Sequence, residues 1–367
     1  MLPEKGERRD IVHREVRSRY VGPVLNFQGG IMMKAYRRVL TIVFSVLIIV
    51  SILNVPGLTP LASAAQPVQE EKKPTFYMVQ LGACSWDPFW CIVDRGMQDA
   101  AKALNVNVTT LAPSRWDPEA WVQNIDRAIA AKPDAIGITV LDAALAEKPL
   151  KRAFDAGIPV ISYDTNDMRP KGQQIPFLTF IGSDEYLSGY KAADRLVKAH
   201  PQGKAGVCVN HSVGHAALEA RCNGFKDRLA EAKVPAQVLA VTEDAAETTA
   251  TIGDFHAANP NVDLWYTLGP ISAGPFYAFM KNAGLKAGDL FHGTNDMTPE
   301  IAGHIKDGVT DFAIDSQPYA VGYLTVLWLT LINRYGMYPA ADVTATGPGF
   351  IDKSNIDIVS KFAGTYR

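Results

Sequence analysis

The sequence has almost no net charge and lacks the short motifs that mark common enzymes. Lys and Arg number 36 against 38 Asp and Glu, which leaves a formal net charge of −2. A protein that binds nucleic acid needs a basic face, and this balance provides no electrostatic footprint for one. The sequence contains no G-x-S-x-G elbow, no G-x-G-x-x-G after a strand, no Walker loop and no H-E-x-x-H pattern. We therefore expect no nucleic-acid partner, no cofactor and no enzymatic activity.

Long apolar runs are also scarce, and the one at residues 39–53 is short for a membrane-spanning helix, which needs about 20 residues. Basic residues precede this run, namely Lys34, Arg37 and Arg38. Ala62-Ser63-Ala64 follows it as a small-residue cleavage site, and this order is typical of an export signal. We expect residues 1–65, an N-terminal extension and a signal peptide, to be removed on export. A retained membrane anchor is the alternative, and Met32 or Met33 is an alternative translation start.

Cysteine is rare, with four residues in the chain. In an exported protein these thiols are expected to be oxidised in pairs, and four cysteines allow three connectivities. Proximity favours Cys84 with Cys91 and Cys208 with Cys222, each pair closing a short loop between a strand end and the next helix. A rival hypothesis is a zinc site built from Cys208 and Cys222 with two nearby histidines, His211 and His215. The disulfide hypothesis is favoured, because an exported protein reaches an oxidising environment.

Short apolar runs and amphipathic stretches alternate along the chain. Ten apolar runs of five to seven residues lie between Phe76 and Asp315, separated by amphipathic stretches, which is the βαβ signature of a parallel sheet covered on both faces. Segment 156–167 resembles segment 283–296, at an offset near 129 residues. The chain therefore looks like two copies of one α/β unit, and a cleft between two such lobes is a common place for a small-molecule site.

The loop after the first predicted strand is the most informative segment. Trp86, Asp87, Phe89 and Trp90 are crowded at the carboxyl end of that strand, just before a helical pattern. In open α/β sheets ligands bind at this end of the strands. Flat rings can cover the C–H faces of a polyol while an acid accepts its hydroxyl protons. The pattern indicates a receptor for a small polar molecule.

Six segments between residues 75 and 362 carry a family resemblance. They are DPFW with the helix that ends in DRG, DAIGITV, AGIPVISYDTND, IGSDEYLSGYKAA, VCVNHSVGHAALEARCNGF and DSQPYAVGY. Together they resemble the exported solute-binding proteins of ABC importers, in the ribose-binding-like, sugar-recognising type I group. The resemblance implies the periplasmic binding protein type I fold, in which two Rossmann-like lobes with parallel sheets are joined by a three-strand hinge.

The resemblance also implies domain boundaries and a function. The N-terminal lobe is expected at 75–182 plus 318–346, and the C-terminal lobe at 184–315 plus 348–362. The protein would act as a periplasmic monomer that captures a monosaccharide or sugar alcohol and delivers it to a membrane permease. A sensory protein that presents the same ligand to a chemoreceptor or kinase is the alternative. A LacI-like repressor shares these lobes but would carry a DNA-binding segment where this chain has an export signal.

The resemblance assigns ligand-binding roles to residues of both lobes. In the family the aromatic pair of the first loop clamps the sugar, which corresponds here to Phe89 and Trp90. The full predicted set is Ser85, Trp86, Asp87, Phe89, Trp90, Asp164, Asn210, Arg221, Asn295, Asp296, Asp315 and Gln317. Asn295 and Asp296 are alternatives for one acid position of the family, and Ser316 is the alternative to Gln317 at its glutamine position. Two customary groups are missing, because Thr165 stands where the family usually has an arginine and Gly269-Pro270 where it often has an asparagine.

Overall fold

The computed structural model describes residues 72–367, and the predicted extension and signal peptide at 1–65 lie outside them. The described chain is built on two six-stranded sheets. The strands are β1 Thr75–Val79, β2 Asn107–Leu111, β3 Ala135–Ile138, β4 Val160–Tyr163, β5 Phe180–Ser183, β6 Gly206–Asn210, β7 Ala236–Ala240, β8 Leu264–Thr267, β9 Phe291–Asn295, β10 Phe312–Asp315, β11 Val343–Gly347 and β12 Gly349–Asp352.

The two sheets have the same strand order. The first runs β11-β5-β4-β3-β1-β2 and the second β12-β10-β9-β8-β6-β7, so β4 of one sheet corresponds to β9 of the other. The strands of the first sheet pair in parallel, and the second differs in that β12 runs antiparallel to β10. The predicted α/β fold with two lobes is confirmed. The short strands β11 and β12 were not predicted, since neither has a long apolar run.

Helices cover both sheets. They are α1 Pro88–Leu104, α2 Pro118–Ala130, α3 Ala143–Asp155, α4 Glu185–Ala199, α5 Ala216–Glu231, α6 Ala245–Ala258, α7 Pro270–Asn282, α8 Pro299–Asp307, α9 Pro318–Tyr335 and α10 Ile356–Val359. We call the first sheet with α1, α2, α3 and α9 the N-terminal lobe, and the second sheet with the other helices the C-terminal lobe. Between residues 72 and 367, no helix combines the length and apolar character that crossing a membrane requires.

The strands form because their side chains are buried on both faces. In β6 the side chain of Cys208 packs against α4 and α5, whereas Val207 and Val209 join the cluster on the opposite face. Alternate residues of a strand point to opposite faces, and a central strand of a covered parallel sheet is therefore apolar along its whole length. Helix starts follow the predicted chemistry too, since the Asp117 side chain accepts a hydrogen bond from the Ala120 N–H at the start of α2.

The chain passes from one sheet to the other at three places. Strand β5 leads into α4 of the C-terminal lobe, β10 leads into α9 of the N-terminal lobe, and β11 leads into β12 through Pro348. The carboxyl ends of the parallel strands of both sheets lie near these crossings, and they position the residues of the candidate site.

Each lobe contains a pair of helices in backbone contact through glycines. A Cβ on Gly224 of α5 would lie 2.0 Å from the Tyr186 carbonyl oxygen of α4, and one on Gly189 of α4 would lie 1.7 Å from the Arg221 carbonyl oxygen of α5. In the N-terminal lobe, Gly96 of α1 and Gly322 of α9 approach each other's helices in the same way. Only glycine allows helices to pack this closely, which explains its use at these positions.

Replacing Gly224 with alanine is expected to lower the free energy of unfolding by about 3 kcal/mol, because the new methyl group must push α4 and α5 apart. The matched control is Gly303→Ala in α8, where a Cβ meets nothing within 4 Å. That change should raise the free energy of unfolding by about 0.5–1 kcal/mol through the better helix propensity of alanine. Urea denaturation of both variants checks the pair, and equal effects would contradict the packing argument.

The four cysteines form the two disulfides that proximity favours, Cys84–Cys91 and Cys208–Cys222. The first closes the aromatic loop at the start of α1, and its Cys84 end is exposed. The second is buried and joins β6 to α5. The rival zinc hypothesis thus loses both of its thiolates, and no group of three or more candidate ligands able to hold a metal occurs within residues 72–367.

Candidate functional site

A cavity of about 90 Å³ lies between the two lobes, at the carboxyl ends of both sheets. About 10–15 Å³ of such space holds one water molecule, so the cavity has room for a small solute. Its wall consists of Leu81, Trp86, Asp87, Phe89, Trp90, Asp164, Thr165, Glu185, His211, Ser212, His215, Ala217, Leu218, Arg221, Glu243, Leu268, Gly269, Pro270, Ile271 and Asp296. This is the position at which open α/β sheets bind ligands.

The first loop brings three aromatic rings and a carboxylate to the cavity. Asp87 caps α1 by accepting a hydrogen bond from the Phe89 N–H at 3.0 Å, and this fixes the first helical turn that carries Phe89 and Trp90. The two rings pack edge to face with their centroids 5.2 Å apart. Burial raises the pKa of Asp87, while the Phe89 N–H opposes the shift and the Glu243 carboxylate adds to it.

The indole of Trp86 links the two lobes. Its Nε1–H donates a hydrogen bond of 3.0 Å to Glu243 of the C-terminal lobe, between β7 and α6. The ring lies against Gly82, where any Cβ would come within 2.2 Å of it. Gly82 therefore provides the space that lets Trp86 reach across the cavity.

Asp164 follows β4 in a left-handed backbone conformation with φ of +62°. Its Oδ2 accepts a hydrogen bond of 2.9 Å from the hydroxyl of Thr165, the residue that stands at the family's arginine position. Burial raises the pKa of Asp164 from 3.8 to about 7, and the nearby Glu185 carboxylate adds to the shift. Because this value is near neutral pH, the carboxyl group is protonated in part of the molecules, and it can both donate and accept hydrogen bonds.

Arg221 of α5 is the cation of the cavity wall and is 8% exposed. Its Nε–H donates to the carboxylate of Glu185 on α4, and Nη1–H donates to the Leu268 carbonyl oxygen at 3.0 Å. The acids around it raise the pKa of Arg221 well above its ordinary value, against the effect of burial, so the guanidinium stays charged. Partner groups hold the guanidinium in place and orient it toward the cavity, as a rigid binding group requires.

Asp296 is the counterpart of Asp164 in the second lobe. It follows β9, which corresponds to β4, and its φ is +60°. Its Oδ1 accepts a hydrogen bond of 2.6 Å from the Ser316 hydroxyl. Burial raises the pKa of Asp296 to about 6, although the positive charge of Arg221 opposes the shift. Non-glycine residues are uncommon at such φ values, with Asp and Asn enriched, so the repeat places two specialised carboxyls at equivalent strand ends.

Two histidines complete the second-lobe side of the cavity. Burial and the charge of Arg221 lower the pKa of His211 to about 4 and that of His215 to about 3, so both rings are neutral at physiological pH. Their Nδ1 atoms are buried and have no hydrogen-bond partner within residues 72–367. Buried polar atoms are normally paired, so these two nitrogen atoms are exceptions, although neither has accessible surface toward the cavity.

Seven of the twelve residues predicted from the sequence lie on the cavity wall, and five lie elsewhere. The seven are Trp86, Asp87, Phe89, Trp90, Asp164, Arg221 and Asp296. Ser85 is exposed on the first loop. The buried pair Asn210 and Asn295 bonds within the second lobe, to the Ser212 N–H and the Tyr266 hydroxyl.

The other two predicted residues lie at the second crossing between the lobes. Asp315 accepts hydrogen bonds from the Gln317 N–H and from the guanidinium of Arg367 near the end of the chain. Gln317 begins α9 in a left-handed conformation with φ of +58°. Both residues therefore shape the crossing, and neither belongs to the cavity wall.

Glu185 and Glu243 are on the wall but are not among the residues predicted from the sequence. Glu185 lies in the first turn of α4, directly after the Asp184 cap, and its partner Arg221 is 36 residues away. Glu219 and Asp227, which are near Arg221 in sequence, are not the acids that pair with it. The sequence feature that could have identified Glu185 is its position. It is the second of two consecutive acids at a helix start, and that helix directly follows a strand at a crossing between the lobes.

Breaking the disulfide of the first loop is expected to weaken ligand binding. In a Cys84→Ser, Cys91→Ser variant the loop that carries Trp86 and Asp87 loses its covalent closure. Ordering such side chains on binding costs about 0.5–1.5 kcal/mol each, so we expect a loss of about tenfold in affinity. Calorimetric titration checks this, and an unchanged Kd in a folded variant would show that the loop is held by its packing alone.

The comparisons with known proteins agree with this geometry. A model of the periplasmic binding protein domain matches residues 84–332. The xylose/arabinose-binding protein of Sulfolobus acidocaldarius is 27% identical over 313 residues, which cover 81% of this chain and 77% of that protein.

Two solved structures extend the similarity. A carbohydrate transporter from Acidothermus cellulolyticus 11B, in complex with myo-inositol, is 30% identical with a TM-score of 0.72, and the match covers 80% of this chain and 99% of that one. An ABC sugar transporter, a periplasmic sugar-binding protein from Legionella pneumophila, is 28% identical with a TM-score of 0.69, covering 75% and 100% of the two chains. The resemblance inferred from the sequence motifs is thus confirmed, and the chain belongs to the periplasmic binding protein domain family.

Proposed function

We propose that the protein captures a monosaccharide or sugar alcohol in the cavity between its lobes and delivers it to the permease of an ABC importer. The observation that carries this proposal is the composition of the wall. Aromatic rings come from the first loop of one lobe, and buried hydrogen-bonding groups come from both lobes. A polyol presents apolar C–H faces and many hydroxyls, and this combination of rings and polar groups can contact both.

The polar groups of the wall provide both donors and acceptors. The Arg221 guanidinium donates, the carboxylates accept, and Asp164 can do both because its pKa lies at about 7. Hydrogen bonds to charged groups are worth about 1.5–3 kcal/mol each, so a few of them suffice to hold a small hydroxylated ligand. The similar proteins named for xylose and arabinose or solved with myo-inositol support this ligand class without identifying the sugar.

Several finer statements belong to the same proposal. The lobes would comprise 75–182 plus 318–346 and 184–315 plus 348–362, and they would close on the ligand by bending at the three crossings. Hinge closure of periplasmic binding proteins is a known example of such motion. The protein would act outside the cytoplasm after its signal is cleaved, as a monomer and without catalysis. The transport role is favoured over the sensory alternative because the similar proteins are sugar-binding members of ABC transport systems.

Ligand-induced melting shifts test the proposal directly. Residues 66–367 are incubated with a panel that includes xylose, arabinose, myo-inositol and linear polyols. A ligand at 100 times its Kd adds about 2.7 kcal/mol to the free energy of unfolding, which raises Tm by about 4 °C in a chain of this size. Recovery of the unchanged sugar would agree with a binding role. A folded protein that responds to no member of the panel would overturn the proposal, and a sugar converted to product would replace it with catalysis.

A further inference from the structure

The cavity wall contains far more negative than positive groups. Five carboxylates line it, Asp87, Asp164, Glu185, Glu243 and Asp296, whereas Arg221 is the one lysine or arginine on this wall of the described chain. The two histidines do not restore the balance, because both rings are neutral at physiological pH. A neutral polyol that entered this cavity would bring no positive charge to the wall.

The positive charge of Arg221 is already balanced by an acid of the protein. Arg221 forms an ion pair with Glu185, and their side chains are 10% and 6% exposed. The other four carboxylates accept hydrogen bonds from neutral donors within the described chain, namely the Phe89 N–H, the Thr165 hydroxyl, the Trp86 indole and the Ser316 hydroxyl. Neutral donors satisfy individual oxygen atoms but do not cancel the charge.

Two of the acids have a raised pKa, mainly because they are buried, and neighbouring carboxylates add to the shift. Burial, the Glu185 carboxylate and, to a smaller extent, Asp296 raise the pKa of Asp164 to about 7. Asp296, also buried and near Glu185 and Asp87, has its pKa raised to about 6. Protons bound to these carboxyls partly offset the negative charge of the wall. A bound cation would do the same and would displace those protons.

We propose that the ligand carries a protonated amino group as well as hydroxyl groups, as an amino sugar or an aminocyclitol does. The inference rests on the proposed function, because it specifies which solute the same cavity captures. An ammonium group offers three N–H donors, and the wall offers carboxylate oxygens as acceptors. A metal ion fits less well, since no group of three or more candidate ligands within residues 72–367 could hold one.

Matched pairs of ligands test the charge alone. Glucosamine, galactosamine and mannosamine are titrated at pH 7 against glucose, galactose and mannose, with the N-acetyl derivatives as uncharged controls of larger size. We expect at least one amine to bind about tenfold more tightly than its neutral parent, since a charge-assisted bond to a carboxylate is about twice as strong as a neutral one. Calorimetry in two buffers of different ionisation enthalpy should show protons released with the amine and none with the neutral sugar.

Substitutions of the wall carboxylates test whether they cause the preference for amines over neutral sugars. Asp164→Asn and Asp296→Asn should each reduce the ratio of amine to neutral affinity, whereas Asp342→Asn at the exposed surface should leave the ratio unchanged. Neutral sugars that bind as tightly as the amines, or more tightly, would overturn this inference and leave the transport proposal intact. A folded protein that binds neither set would contradict both.

Discussion

An Arg221→Met substitution is expected to lower the free energy of unfolding by about 3–5 kcal/mol and to weaken ligand binding by about 10- to 100-fold. The stability loss arises because Glu185 remains buried without its partner, and removing one member of a buried ion pair strands the other charge. The loss of affinity follows from the two charge-assisted hydrogen bonds that a guanidinium can give to vicinal hydroxyls. Urea denaturation and calorimetric titration measure the two effects separately.

Two further variants show whether the ion pair is the cause. Arg228→Met removes another arginine of α5, paired with Asp194 nearer the surface, and should cost about 1 kcal/mol or less. The double variant Glu185→Gln, Arg221→Met removes the stranded charge and should recover most of the stability, while its ligand affinity stays as low as that of Arg221→Met. A double variant as unstable as Arg221→Met alone would assign the loss to packing of the arginine stem.

Asp164→Asn is expected to stabilise the unliganded protein at pH 8 by about 4 kcal/mol at most, with a much smaller effect at pH 5. The pKa of Asp164 is about 7 in the folded protein, against about 3.9 in an unfolded chain. The folded state therefore binds this proton more tightly than the unfolded state does. Proton binding stabilises the folded state fully below about pH 4, and this stabilisation is lost as the pH rises through 7. Asparagine stays uncharged and also suits the left-handed backbone at this position.

The measurement is the free energy of unfolding of the wild type and of Asp164→Asn between pH 5 and 8.5. Taking the difference between the two proteins at each pH cancels the contributions of the buried histidines, which titrate in both. The wild type should lose stability relative to the variant as the pH rises. Parallel curves would show that the carboxyl group is not buried as a titrating acid. The same variant should bind ligand less well, because it can no longer accept hydrogen bonds at both oxygens.

Much of the fold was predictable because burial on both faces leaves a regular signal. Strands such as β6 are apolar along their length, and the helices between them repeat their apolar residues every three to four positions. The edge strand β11 escaped prediction because its residues are half-exposed and it owes its place to pairing with β5. Local pattern is a poor guide where a neighbouring strand determines the structure.

The candidate site was predictable only in part, for a related reason. Trp86 and Asp87 lie in the loop between β1 and α1, and Asp164 directly follows β4, so the position along the chain reveals their place in the fold. Glu185 reaches the wall through a pair with Arg221 that joins two helices, and nothing close to it in sequence indicates that partner. Asp315 pairs with Arg367, a residue at the far end of the chain, and nothing close to Asp315 in sequence indicates this partner.

The glycine contacts between helices have a mechanical consequence. Helix α4 begins directly after the first crossing and touches the backbone of α5, which carries Arg221, while α9 begins directly after the second crossing and touches α1, which carries Phe89. Main-chain atoms in direct contact have no rotamers with which to absorb a displacement. A rotation at either crossing therefore moves the two helices of the pair together as one rigid unit. Each unit carries a residue of the cavity wall.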